Sequence, residues 1–227
     1  MPLNNPIYQA LISREAHFNI GNAAVAFFPE NLAPFIGLSN WSPEQQKQLL
    51  IQAPAHRSWF VIHQEPVSFI DDFQTVFSIP LFQMMCPKLS TPPPSKEPLK
   101  PMGKEHIEEM ISLTSLTKPG PFLQRTIEFG NYHGIFRKGK LVAMGGERMH
   151  IDHFTEISAI CTHPDYRGHG YGAQLVHFLS KQILEKGETP FLHVRIDNKN
   201  AIEVYEKMGY QIRTEMFFAI FKRKDPA

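Results

Sequence analysis

Cysteine is scarce in this chain, with two residues, Cys86 and Cys161, among 227. Two distant thiols in apolar surroundings make no disulfide framework, and a reducing cytoplasm is the expected setting. Charge of one sign is lacking too. Lys and Arg number 23 against 22 Asp and Glu, for a net charge of +1. Without a basic field, nucleic acid is not expected as a partner. No apolar run is long enough to span a bilayer, so no membrane partner is expected either. The opening Met1-Pro-Leu-Asn-Asn-Pro6 has no basic stretch followed by an apolar one, so no secretory leader is expected. A hydrophobic share of 42% and a charged share of 20% predict a packed core rather than disorder.

Proline, in contrast, is concentrated. Six of the fifteen residues of 87–101 are proline. That density removes backbone donors and favours extended geometry, so residues 87–102 read as a semi-rigid linker or, failing that, a surface loop. Before it, Ala23–Phe28, Trp59–His63 and Ile79–Cys86 read as strands. A helix is predicted from Pro43, with Ser42 as N-cap and Gln45 at the capping-box position. After it, Lys104–Leu113 and Phe122–Glu128 read as helices. Tyr132–Phe136 and Lys140–Met149 form a hairpin across Arg137-Lys-Gly139. Thr155–Thr162 is a strand. Ala173–Glu185 carries Leu175, Leu179 and Ile183 at helical spacing. Phe191–Ile196 is a strand, and Asn198–Met208 a helix closed by Gly209. Tyr210–Met216 and Phe217–Lys224 read as two final strands. The order predicts a mixed α/β (α+β) sheet with helices on its faces.

Between a strand and a helix lies Arg167-Gly-His-Gly-Tyr-Gly172. Glycine lets the backbone approach a ligand and take positive φ. The helix behind presents unpaired N–H groups and the positive end of its dipole, and Arg167 adds a full charge. The combination suits a pyrophosphate. The spacing is not that of a dinucleotide-binding fingerprint, and the terminal Gly-Lys-Ser/Thr of a Walker loop is absent.

At these residues the chain resembles the GNAT superfamily of N-acetyltransferases, whose motif is Arg/Gln-x-x-Gly-x-Gly/Ala. Arg167, Gly170 and Gly172 match it, with Thr162-His-Pro-Asp-Tyr166 as lead-in and Asn198–Tyr210 as a second block. The resemblance covers residues 103–224 and is closest to the FR-type branch related to glycine N-acyltransferases. It implies a GNAT-type, mostly antiparallel sheet in residues 103–227, preceded by a smaller α/β half at 1–86, a place where some relatives carry a degenerate copy. It also implies acetyl-CoA as co-substrate and an amine acceptor, in a monomer or homodimer. The activity implied is acetyl transfer by direct attack in a ternary complex; a non-catalytic acyl-CoA-binding module is the alternative.

Transfer to an amine needs a base, an oxyanion donor and an acid for the departing thiolate. Glu156 is one candidate base, with a pKa raised by apolar neighbours, or else a carboxylate paired with a residue such as Arg148. His193 is the rival base, or a half-buried structural histidine. Tyr205 matches the tyrosine that protonates the thiolate in the family, or it packs in the core. By the same resemblance Ile160, Cys161 and Thr162 offer backbone groups to the pantetheine. Arg167, Gly168, His169, Gly170, Tyr171, Gly172 and Ala173 hold the pyrophosphate. Asn198 holds the cofactor or caps its helix. The loop Thr117–Phe122 is expected to border the acceptor, with Phe122 as an apolar wall. Cys161 lacks a readable histidine–carboxylate partner for a nucleophile. His150 and His153 lack further ligands of metal spacing, so no metal is expected.

Overall fold

The computed structural model describes residues 1–90 and 97–224; residues 91–96 of the expected linker lie outside the described residues. Helix α1 (Pro6–Ile12) follows a single 3-10 turn and starts on proline, whose missing N–H costs a helix nothing there. Leu3, Ile7, Ala10 and Leu11 recur on one face and are fully buried. β1 (Val25–Phe27) and β2 (Ile36–Leu38) form a small antiparallel pair. α2 (Pro43–Gln52) has the predicted cap, Gln45 N donating to Ser42 Oγ at 3.4 Å. The Gln45 side chain, however, accepts from Asn40 N at 2.9 Å, so the capping box is not reciprocal.

The remaining elements are β3 (Ser58–His63), β4 (Phe73–Met85), β5 (Lys100–Pro101), α3 (Ile107–Thr117), β6 (His133–Arg137), β7 (Lys140–Ile151), β8 (Phe154–Thr162), α4 (Tyr171–Glu185), β9 (Thr189–Arg195), α5 (Lys199–Lys207) and β10 (Gln211–Arg223). Eight strands make one sheet in the order β3-β10-β4-β9-β8-β7-β6-β5, and among these pairs β8–β9 alone is parallel. The sheet therefore crosses the segment 87–102, because β3 and β4 lie in it beside β9 and β10. The described ends of that segment are tied down. Ser90 N donates to Met208 O at 3.0 Å, and Glu97 exchanges two bonds with the Gln174 amide at 3.1 and 2.6 Å.

Two predicted elements differ. The final pair of strands is one strand, β10, paired along its length to β4 and over six residues to β3. Residues 211–223 contain no Gly, Pro, Asn or Asp to make a turn. The helix expected at Phe122–Glu128 is a 3-10 turn at Thr126–Phe129. Thr126 Oγ1 accepts from Leu123 N at 2.8 Å and donates to Leu32 O at 2.7 Å, which fixes the chain to the N-terminal half. Gly130, at φ 105°, then ends the turn.

The strand expected at Ile79–Cys86 begins six residues earlier, at Phe73, and the other expected elements lie close to their observed places. Lys138 and Gly139 both take positive φ, as a two-residue type I′ hairpin requires. Leu175, Leu179 and Ile183 of α4 are fully buried, Leu179 and Ile183 packed with Ile157 and Leu192 of the sheet and Leu175 with Ile135, Val142 and Ala143. α5 closes with Gly209 N on Glu206 O at 2.9 Å and Tyr210 N on Tyr205 O at 3.0 Å, the two bonds of a Schellman motif. Among the described residues no helix is long and apolar enough to cross a membrane.

Candidate active site

β8 and β9 pair at Phe154–Thr189, Thr155–Pro190 and Glu156–Phe191, and then part. On its other edge β8 is bulged against β7 between Ser158 and Cys161, with Ala159 at φ 55°. A non-glycine residue at such a φ marks a bulge that the surroundings enforce. A cavity of about 540 Å³ opens at the gap. Ile160, Cys161, Thr162, Arg167, Asn198 and Tyr205 border it, as do Arg148, Glu156 and His193. So do Thr117–Pro121. Phe122 does not; it is buried against Tyr132, with ring centroids 5.5 Å apart. The expected apolar wall thus comes from elsewhere.

The glycine loop sits where β8 turns into α4. Gly168 and Gly170 take φ 81° and 75°, and Gly170 is the N-cap. Having no side chain, it caps nothing, and the first helical bond is Gln174 N to Gly170 O at 3.0 Å. The N–H groups of Tyr171, Gly172 and Ala173 therefore have no helical acceptor. The His169 ring closes the turn, Nδ1 lying 3.1 Å from both Tyr166 O and Arg167 O. The Tyr171 ring is buried, and its hydroxyl accepts from Arg137 Nε at 3.1 Å. Both residues thus have their side chains engaged away from the cavity, leaving their main chain for an anion. Arg167 is exposed at the cavity's edge.

Glu156, at the cavity floor, accepts three hydrogen bonds. Arg148 donates to it twice, Nε to Oε2 at 2.7 Å and Nη2 to Oε1 at 2.6 Å, and His193 Nδ1 lies 2.7 Å from Oε1. Burial pushes its pKa up, but the Arg148 charge and the His193 hydrogen bond outweigh that and hold it down at about 2. The expectation of a raised pKa is thus reversed. His193 Nε2 is 3.0 Å from Gln83 Nε2, whose amide also donates to Leu3 O at 3.0 Å and takes Arg213 Nε on its oxygen. Gln83 Nε2 can only donate, so His193 carries its proton on Nδ1. Gln83 and Arg213 went unnoticed in the sequence. The one hint was a glutamine in the otherwise apolar Leu81-Phe-Gln-Met-Met-Cys86.

Tyr205 borders the cavity half-buried, and burial raises its pKa to about 12. Among the described residues none hydrogen-bonds its hydroxyl. Asn198 Oδ1 accepts from Ala201 N at 3.3 Å, so it caps α5 while lining the cavity. Cys161 is buried with its thiol pushed up to about 11, which keeps it protonated at neutral pH. His150 lies between Glu15 and Glu147, at 2.8 and 3.1 Å, in ion pairs. Among the described residues no cluster of three His, Cys, Asp or Glu is placed for a metal.

A family model described as FR47-like protein matches residues 132–219, the span from β6 through most of β10. A solved structure assigned to the GNAT family of acetyltransferases, from Novosphingobium aromaticivorans, superposes with a TM-score of 0.88. The two are 26% identical, over 99% of this chain and 100% of that one. The fold is that of the GNAT acetyltransferases, and residues 132–219 are similar to an FR47-like family model in sequence. The mixed, mostly antiparallel sheet with flanking helices is the GNAT fold. Shorter likenesses agree: 35% identity over 63 residues to a mycothiol acetyltransferase of Corynebacterium aurimucosum, and 43% over 51 residues to an acetyltransferase of Yersinia pestis. These segments cover 27% and 22% of this chain, and only 21% and 36% of those relatives.

Proposed function

We propose that the chain transfers the acetyl group of acetyl-CoA to a primary amine by direct attack within a ternary complex. The observation that carries the reading is the gap between β8 and β9, with an uncapped helix N-terminus at one end and the Tyr205 hydroxyl beside it. The N–H groups of Gly168–Ala173, with Arg167, hold the pyrophosphate. The parted edge of Ile160–Thr162 pairs with the pantetheine amides as an added strand would. A backbone N–H at the bulge stabilises the oxyanion. Nitrogen attacks the thioester carbon, the C–S bond breaks, and the thiolate leaves.

Tyr205, protonated throughout the neutral range, donates a hydrogen bond to the departing sulfur. Glu156 is assigned the anchoring of the acceptor nitrogen. A carboxylate held at about 2 is a poor acceptor for the proton of an ammonium near about 10.4. One lone pair of Oε2 stays open for such a contact. His193 orients Glu156; the amine attacks as the neutral form supplied by bulk solution, and the proton its nitrogen sheds on acylation leaves with the thiolate as CoA thiol.

Calorimetric titration with CoA, joined to a thiol-release assay with acetyl-CoA and a panel of amines, tests the reading. Saturable CoA binding and turnover that climbs with pH toward the amine's own pKa are expected. No CoA binding sinks the cofactor assignment. Binding without turnover of any amine sinks the transferase.

A further inference from the structure

The cavity has an apolar side that the transfer chemistry leaves unused. Phe218 of β10 pairs with Ile62 of β3 and with Ile79 of β4, so three apolar side chains stand in one row across three strands. Along β4, Gln83, Leu81, Ile79 and Phe77 share a face, because strand side chains alternate. Gln83 holds His193 at the head of this lane. Leu81 to Phe77 then runs about 13 Å away from it. Phe35 joins the lane to the charged floor, its ring 4.7 Å from the Arg148 guanidinium carbon. Phe77, 43% exposed, stands at the outer end. All six lining residues, Phe35, Ile62, Phe77, Ile79, Leu81 and Phe218, border the cavity.

Resting on the transferase reading above, we propose that the acceptor is a small amine carrying an aryl or alkyl group, and that this lane binds that group. None of the six residues offers a side-chain hydrogen bond. Of the cations that border the cavity, Arg148 is engaged by Glu156, and Arg195, level with Leu81, by Asp197 at 2.9 and 2.6 Å; Lys118 and Arg167 stand on the loop after α3 and on the glycine loop, not on the three strands of the lane. An acceptor with its own carboxylate, or with several hydroxyls, would bury those groups unpaired in the lane. The lane belongs to the amine rather than to the acyl chain because of its side of the sheet. It lies on β4, β10 and β3, across β9 from the gap that receives the thioester.

The test is a thiol-release assay with acetyl-CoA and 2-phenylethylamine, hexylamine, ethanolamine, glycine and spermidine. For the two apolar amines kcat/KM is expected to exceed that of the polar three by about tenfold or more. Phe77→Ala, at an exposed position that the fold tolerates, is expected to lower kcat/KM for phenylethylamine about tenfold and to leave the KM of acetyl-CoA unchanged. Turnover confined to the polar amines overturns the lane and leaves the transferase standing. So does a Phe77→Ala effect seen only as a lost preference for hexanoyl-CoA, which would give the lane to the acyl chain. No turnover with any amine overturns both.

Discussion

A carboxylate removed from water stays ionised only where its partners return more than the water did. At Glu156 the return comes from two Arg148 N–H groups and the His193 ring. Breaking such a pair from one side leaves a buried charge without its counterion. Glu156→Gln is therefore expected to cost about 3–5 kcal/mol. The double variant Arg148→Met/Glu156→Gln should lie closer to the wild type than Glu156→Gln alone. Urea denaturation of the three variants measures this, and a cost below about 1 kcal/mol for Glu156→Gln would falsify the pairing. The Arg148 pairing was legible in the sequence, since the two residues flank one hairpin. The clamp on His193 was not, because Gln83 reaches it across 110 positions of chain. No local pattern encodes such a contact.

At the scale of elements, glycine marks two different demands. Gly168 and Gly209 both have positive φ, at 81° and 99°. A Cβ on Gly168 would meet open space, whereas one on Gly209 would come within 2.4 Å of Lys88 O. Gly209→Ala should thus cost clearly more than about 1 kcal/mol, and more than Gly168→Ala. Gly168→Ala should mainly weaken CoA, by disturbing the loop. Equal unfolding midpoints for the two variants, or unchanged CoA affinity in Gly168→Ala, would contradict this. Both glycines were visible as punctuation in the sequence, as were α4 and α5, whose caps and apolar spacing are local. Dividing β10 into two strands would need a turn, and Thr214-Glu-Met-Phe217 offers no turn residue.

The whole molecule is held across its halves by a buried polar link. Glu15, ahead of β1, takes His150 of β7, which also takes Glu147, and Glu147 has Lys186 at 3.5 Å. Burial lowers the His150 pKa, but hydrogen bonds to Glu147 and Glu15 outweigh it and raise it to about 9. A raised folded-state pKa stabilises fully below the unfolded value of about 6.5 and is lost as pH rises through about 9. Tm should therefore fall over that window, and His150→Gln should flatten the fall. A parallel slope in the variant would assign the loss to other groups. This link was unreadable in the sequence because Glu15 lies 135 positions from His150; the Glu147 contact alone is local.

The place of β4 has a consequence for how the chain is made. It ends at Met85, while both of its neighbours, β9 and β10, begin at Thr189 and Gln211. At ribosomal speeds of about 5–20 residues per second, β4 waits on the order of 5–20 s for its first neighbour. During that interval its Phe73-Gln-Thr-Val-Phe-Ser-Ile79 stretch has two open edges. The strand that closes the catalytic sheet is thus also the nascent chain's main hazard, and the last strand translated is the one that shields it.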